Sequence, residues 1–195
     1  MTPHTIYFIR HGETQWNFAG RLQGRSDSPL TPKGREQAAR NGETLLSAVP
    51  DLHNLHFVAS PLGRTRTTME IIRERIGLPA QGYETDERLA EMGFGEWEGL
   101  TWPHIRIHRA EEWSTREQSK WTHSARGGES FHDVAMRLRD WVSSLERDLV
   151  VVSHGAVGRV LRGLYHRMSE IEIPDLPNLQ QDVIYRFAQG SEATL

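Results

Sequence analysis

The chain reads as an α/β protein: a three-layer sandwich with a mostly parallel central sheet, helices on both faces and a small helical lid excursion. Two observations predict it. Short apolar runs, rich in β-branched and aromatic residues and nearly free of charge, recur along the 195 residues, as strands buried on both faces require. Longer segments with apolar residues at helical spacing separate them, and strands joined through helices run parallel with the helices packed on either face.

His4 to Ile9 is the first such run. Thr31-Pro32 starts the first long helix, the hydroxyl capping and the proline occupying the first turn. Ala38, Leu45 and Leu46 form its apolar face, and it ends near Pro50. Leu55 to Ala59 is the second strand. Ser60-Pro61 then reads as the cap of a helix carrying Met69, Ile72 and Ile76, stopped by Gly77 and Pro79. Ser130 with Asp133 resembles a capping box ahead of Val134, Leu138, Trp141 and Val142. Leu149 to Val152 is the third strand and Ala156 to Tyr165 the helix after it. Val183 to Phe187 reads as a last strand, placed at the sheet edge.

One segment breaks this rhythm. Between positions 96 and 128 there is no buried strand, yet five of the six tryptophans stand at 97, 102, 113, 121 and 141, four of them inside it. Residues 104–126 carry Arg106, Arg109, Arg116, Lys120 and Arg126 against Glu111, Glu112 and Glu117. Two readings follow: a solvated helix anchored by its tryptophans, or a lid whose cations and rings select a ligand. The whole, residues 1–195, is read as one domain with this excursion inside it.

Composition narrows the function. Lys+Arg 23 against Asp+Glu 26 leaves a formal net charge of -3, which gives no global attraction for nucleic acid. With no cysteine there is no disulfide and no thiolate chemistry. No stretch approaches the length of a membrane span, and the apolar run before Arg10 is too short for a secretory signal. The expectation is a cytoplasmic protein that binds neither membrane nor nucleic acid.

Arg10-His11-Gly12-Glu13 follows the first strand directly, and Ser153-His154-Gly155 follows the third. Ligands of open α/β sheets bind outside the carboxyl ends of the strands, so both imidazoles are expected in one crevice. Glycine after each histidine lets the backbone turn and a ligand approach. Arg10 adds a planar, permanently charged fork suited to phosphate or carboxylate. Arg64 falls in the first turn of the helix after the second strand, where unpaired N–H groups and the positive end of the dipole favour an anion. Arg66, in the same turn, is expected to point elsewhere. His104 and His108 share a helical face, but no third ligand accompanies them, so no metal is expected.

These motifs carry a resemblance. Arg10-His11-Gly12-Glu13-Thr14-Gln15-Trp16-Asn17 resembles the signature of the histidine phosphatase superfamily, in its phosphoglycerate mutase-like branch. The likeness continues through Gly20-Arg21-Leu22-Gln23-Gly24, Asp27-Ser28-Pro29-Leu30-Thr31 and Ser60-Pro61-Leu62-Gly63-Arg64. Leu89-Ala90-Glu91-Met92-Gly93-Phe94-Gly95-Glu96-Trp97-Glu98-Gly99 is similar to the family's acid motif, with Gly127-Gly128-Glu129-Ser130 and Ser153-His154-Gly155 following in order. After Tyr165 the likeness lapses.

The resemblance implies His11 as a nucleophile that forms a phosphohistidine, and Glu91 as general acid and then base. It implies Arg10, Asn17, Arg64 and His154 as phosphoryl-binding groups, with Thr14, Gln23, Gly24 and Gly155 as additional contacts. Glu87, Glu96 and Glu98 compete with Glu91 by composition alone. No cofactor is implied. The expected partner is a small phosphomonoester. The expected reaction is its hydrolysis, because the interval Leu100 to Arg126 is short for a cover that must exclude water. Mutase-type phosphoryl transfer and a non-catalytic phosphoryl-binding module remain the alternatives.

Overall fold

The computed structural model describes residues 3–195; residues 1 and 2 of the expected single-domain span lie outside the described residues. In chain order the elements are β1 (Ile6–Arg10), α1 (Gln15–Phe18), α2 (Pro32–Ala48), β2 (His56–Ala59), α3 (Gly63–Arg75), β3 (Glu84–Thr85), α4 (Trp102–His108), α5 (Ala110–Gln118), α6 (Phe131–Ser143), β4 (Leu149–Ser153), α7 (Gly155–Tyr165), β5 (Ile184–Ala188) and β6 (Ser191–Thr194). The six strands form one sheet in the order β3-β2-β4-β1-β5-β6. β3, β2, β4 and β1 are parallel, whereas β5 pairs antiparallel with β1 and β6 pairs antiparallel with β5.

Alternation along each strand divides the core. Ile6, Phe8, Val58, Leu149, Val151, Tyr185 and Phe187 face one layer with Val134, Leu138 and Trp141 of α6 and Val157, Val160 and Leu161 of α7. Tyr7, Ile9, Phe57, Ala59, Val150, Val152 and Ile184 face the other, with Leu45 of α2 and Met69 and Ile72 of α3. Both faces of the central strands are therefore covered, which is why their sequences run apolar without a break.

Three expectations are corrected. The last strand, β5, is not at the edge: it pairs with β1, and β6, folded back after it, takes the edge. A turn through Gln189 and Gly190, both at positive φ, makes that hairpin. Leu46 is 53% exposed and does not belong to the buried face of α2. Ser60 does not cap α3; the helix begins at Gly63 with Leu62 at the cap position. The caps read at Thr31 and at Ser130 with Asp133 do form. The excursion holds two helices, α4 and α5, and its own small core of Leu22, Trp97, Ile105 and Ala125, flanked by Trp102 and Trp113.

Candidate active site

β1 and β4 are neighbours in register, with Arg10 opposite Ser153. The residues that follow each strand therefore leave the sheet side by side. His11 and His154 meet there edge to face, ring centroids 5.2 Å apart. Neither exit residue's glycine has a positive φ, so the reason for these glycines differs from the one read in the sequence. A Cβ on Gly12 would lie 2.2 Å from the Gly34 carbonyl oxygen, and one on Gly155 would lie 2.9 Å from Asn178 Oδ1. Close packing against main chain, not turning, requires Gly12, whereas at Gly155 the neighbour is a side-chain end that can shift.

His11 is buried, and its Nδ1 lies 2.8 Å from the carbonyl oxygen of Gly12. A carbonyl can only accept, so Nδ1 carries the hydrogen and Nε2 presents a lone pair. Arg64 Nε donates to that Nε2 at 3.3 Å. Burial, then the charges of Arg64 and Arg10, push the His11 pKa well below 6.5, which keeps the ring neutral at pH 7. Burial likewise depresses His154, with Arg64 the next cause.

Arg64 is 2% exposed and held from several sides. Its guanidinium donates to the carbonyls of Gly24 and Ser26, each at 2.8 Å, and to Asp27 Oδ1 at 2.9 Å. Asp27 also accepts from the Arg64 backbone N–H. The N-terminus of α3 is thus occupied by Asp27 and is not the open anion site that the sequence implied. The N-terminus of α7 is occupied too: Glu91 Oε2 accepts from the backbone N–H of Gly155 at 3.1 Å and of Ala156 at 3.4 Å, while Oε1 accepts from Met92. Three backbone donors fix this carboxyl at the wall of the cleft.

The cleft, about 150 Å³, is lined by Arg10, His11, Asn17, Gln23, Gly24, Arg64, Glu91 and Gly155 among the expected residues. Arg10 donates to the carbonyl of Leu179, and its buried Nε has no protein partner. Burial lowers its pKa from the ordinary arginine value, but a guanidinium stays charged. Asn17 Oδ1 accepts from the Thr14 backbone N–H and from Gln181 Nε2, so that network orients its amide. Thr14 is fully buried and does not line the cleft; its hydroxyl caps α1 and steadies Asn17 instead. His154, packed edge to face on His11, is fully buried and is not among the residues that line the cleft; its Nδ1 is unpartnered.

The rival acids go elsewhere. Glu98 accepts from the backbone of Arg25, Ser26 and Phe94; Glu96 pairs with Arg109 and Arg126; Glu87 is exposed. Arg66 turns away toward Tyr83. Among the described residues no group of three or more His, Asp or Glu is placed to hold a metal, although the His104 and His108 rings lie 4.4 Å apart. A larger cavity of about 380 Å³ is apolar and lies by Ile6, at the far end of β1, away from this chemistry.

Sequence reasoning missed several lining residues: Arg21, Phe94, Trp102, Arg159 and Asn178. Arg159 was findable, since it follows Gly155 by one helical turn and so shares its face. It donates to the Pro174 carbonyl, stacks over Phe131 at 4.9 Å and leaves a buried Nε unpartnered. Asn178 comes from the stretch after α7, where the sequence shows no pattern. The cations of the excursion, in contrast, are largely spent on its own acids and rings. Arg109 pairs with Glu112, Lys120 with Glu117 and Asp175, and Arg116 with Glu117 while stacking on Trp102 and Trp113.

Residues 6–186 match the histidine phosphatase superfamily (branch 1). The chain belongs to that superfamily. It is 40% identical over 164 residues to the probable phosphoglycerate mutase GpmB of Erwinia tasmaniensis, covering 80% of this chain and 72% of that one. It is 34% identical over 178 residues to 6-phosphofructo-2-kinase/fructose-2,6-bisphosphatase 1 of Bos taurus, covering 90% of this chain; it spans only 36% of that relative's length. Among solved structures, a mycobacterial glucosyl-3-phosphoglycerate phosphatase complexed with VO3 superposes with a TM-score of 0.81 at 30% identity, over 94% of this chain and 90% of that one. A structure described as that of a putative α-ribazole-5'-P phosphatase from Escherichia coli gives 0.80 at 27% identity, over 100% and 95%. The set thus contains both phosphatases and a mutase. No helix among the described residues is long and apolar enough to cross a membrane.

Proposed function

We propose that the chain is a metal-independent phosphomonoesterase acting on a small phosphorylated metabolite. The observation that carries this reading is the His11 ring: neutral, with its hydrogen committed to Gly12 and its Nε2 lone pair beside Arg64 in a cleft that also holds Glu91. In the first step Nε2 attacks phosphorus and the phosphorus–oxygen bond to the alcohol breaks, while Glu91 delivers a proton to the departing oxygen. The Gly12 carbonyl faces the Nδ1–H of the now cationic phosphohistidine. In the second step water attacks phosphorus, gives its proton to Glu91 and releases phosphate from Nε2. Arg10, Arg64, Asn17 and His154 supply donors to the three non-bridging oxygens of the transferring phosphoryl group, the electrostatic task that dominates phosphoryl transfer.

Beyond the phosphoryl position the cleft offers two further guanidinium groups, from Arg21 and Arg159, and the rings of Phe94 and Trp102. These favour a substrate with a second anionic group. The likeness to GpmB supports a competing reading, transfer of the phosphoryl group to a bound acceptor. One experiment addresses both. The protein, dialysed against EDTA, is turned over with a panel of metabolite phosphomonoesters, then quenched and mapped. Hydrolysis is expected to persist, with an acid-labile, base-stable phosphoryl group on His11. His11→Ala should lower the rate on the order of 10³-fold or more. Activity restored only by a divalent ion, or label on a serine or aspartate, would reject the mechanism. Phosphoryl return to an acceptor faster than phosphate release would favour the mutase.

A further inference from the structure

Ser60 reads as a helix cap in the sequence and is not one in the fold. It is the first residue after β2, whose Ala59 lies opposite Val152 of β4, so it sits next to the exit that carries His154. Both residues are completely buried, and His154 Nε2 lies 2.6 Å from Ser60 Oγ. The direction of that hydrogen bond matters. Ser60 Oγ already receives the Leu62 backbone N–H, at 3.4 Å. A hydroxyl carries one hydrogen, and the ring nitrogen is the acceptor within reach of it. If Ser60 donates to Nε2, the single hydrogen of neutral His154 must sit on Nδ1. That atom is the one with no protein partner, on a ring packed edge to face against His11.

We propose that Ser60 is a positioning residue that locks His154 in the tautomer with hydrogen on Nδ1, so that the ring meets a phosphoryl oxygen as a donor. The opposite tautomer would aim a lone pair at an anion and repel it. Burial holds the ring neutral, so a tautomer choice, not a charge, decides which face it shows. The role depends on the function proposed above, but the tautomer itself is a property of the free protein and can be read without substrate.

The test uses the whole protein, ¹⁵N-labelled at histidine, with long-range ¹⁵N–¹H correlation spectra at pH 7.5 and no ligand. Wild-type His154 should show a protonated Nδ1 and a bare Nε2. In Ser60→Ala that pattern should be lost, by reversal or by averaging, while the His11 signals keep their own Nδ1–H pattern. Ser60→Thr, which retains the hydroxyl, should restore it. In parallel, single-turnover transfer from p-nitrophenyl phosphate to His11 should slow about 10-fold in Ser60→Ala, the cost of about one charge-assisted hydrogen bond, and recover in Ser60→Thr. A wild-type His154 with its hydrogen on Nε2, or a Ser60→Ala variant with the wild-type tautomer, overturns the proposal. A wild type with the expected tautomer and no phosphoryl transfer would instead count against the proposed function.

Discussion

At Glu91, geometry leaves the two oxygens unequal. Oε1 takes one backbone N–H, from Met92, and Oε2 takes two, from Gly155 and Ala156. The carboxyl is therefore aimed by main chain, which a substitution at 91 leaves in place. Glu91→Gln removes the transferable proton; its amide oxygen can keep the Gly155 and Ala156 donors, at the loss of the Met92 hydrogen bond, because an NH2 group does not accept. An alkyl phosphate expels a poor alkoxide and needs that proton, whereas p-nitrophenolate leaves without it. In single-turnover experiments, phosphoryl transfer from the alkyl ester should fall by about 10²–10⁴-fold in the variant, and from p-nitrophenyl phosphate far less. Equal slowing for both leaving groups would remove Glu91 from the acid role. Steady-state rates are the wrong readout, because Glu91 also serves the water step.

The element that positions the nucleophile is the exit of β1, and it is held by backbone against backbone. Gly12 packs on Gly34 of α2, and a Cβ there would meet the Gly34 carbonyl oxygen at 2.2 Å. Rigid main chain cannot yield as a flexible side chain would. Gly12→Ala should accordingly destabilise the fold by at least about 1–3 kcal/mol, the usual cost of overpacking, and displace His11. Urea unfolding and turnover should decline together. Gly20→Ala is the control: its φ is +67° but nothing lies within 4 Å of the added Cβ, so stability should drop by about 1 kcal/mol with the nucleophile unmoved. If Gly12→Ala is as mild as Gly20→Ala, close packing is not what the glycine serves.

For the whole molecule the buried histidines set a pH dependence. His11, His154 and the partly buried His123 all have pKa values lowered by burial. In the unfolded chain each takes a proton near pH 6.5, while in the folded chain it stays neutral to lower pH. The unfolded state then binds more protons, so stability falls as pH drops below about 6.5, by up to about 1.4 kcal/mol per pH unit for each histidine. Carboxylates lowered by ion pairs, such as Glu129 beside Arg137, add their losses only below the ordinary carboxylate range. Urea midpoints measured between pH 7.5 and 5.0 should therefore decline in wild type and decline less steeply in His11→Ala. Parallel slopes would mean that His11 is not held neutral. The acid limb of kcat/KM should likewise lie below 6.5, since the nucleophile needs its lone pair.

Glu91 is singled out only by the family resemblance, but the strand and helix alternation, the caps at Thr31 and Ser130, the two His-Gly exits and the places of Arg10 and Arg64 beside strand ends could all be read from the sequence. Each is a local pattern: periodicity, a capping pair, or a residue whose place at a strand end follows from the strand. What the sequence could not supply is distance. Strand β5 reads as a last strand at the sheet edge, yet pairing with β1 and the turn at Gly190 place it inside. Ser60 reads as a cap because serine before proline usually is one; only the adjacency of β2 and β4 turns its hydroxyl onto His154. Asn178 and Gln181 reach the site from a patternless stretch, since a loop that docks through a few hydrogen bonds needs no periodicity. Local order fixes which groups exist at the ends of the strands. Strand pairing and loop packing decide which of them face one another, because those contacts join residues far apart in the chain.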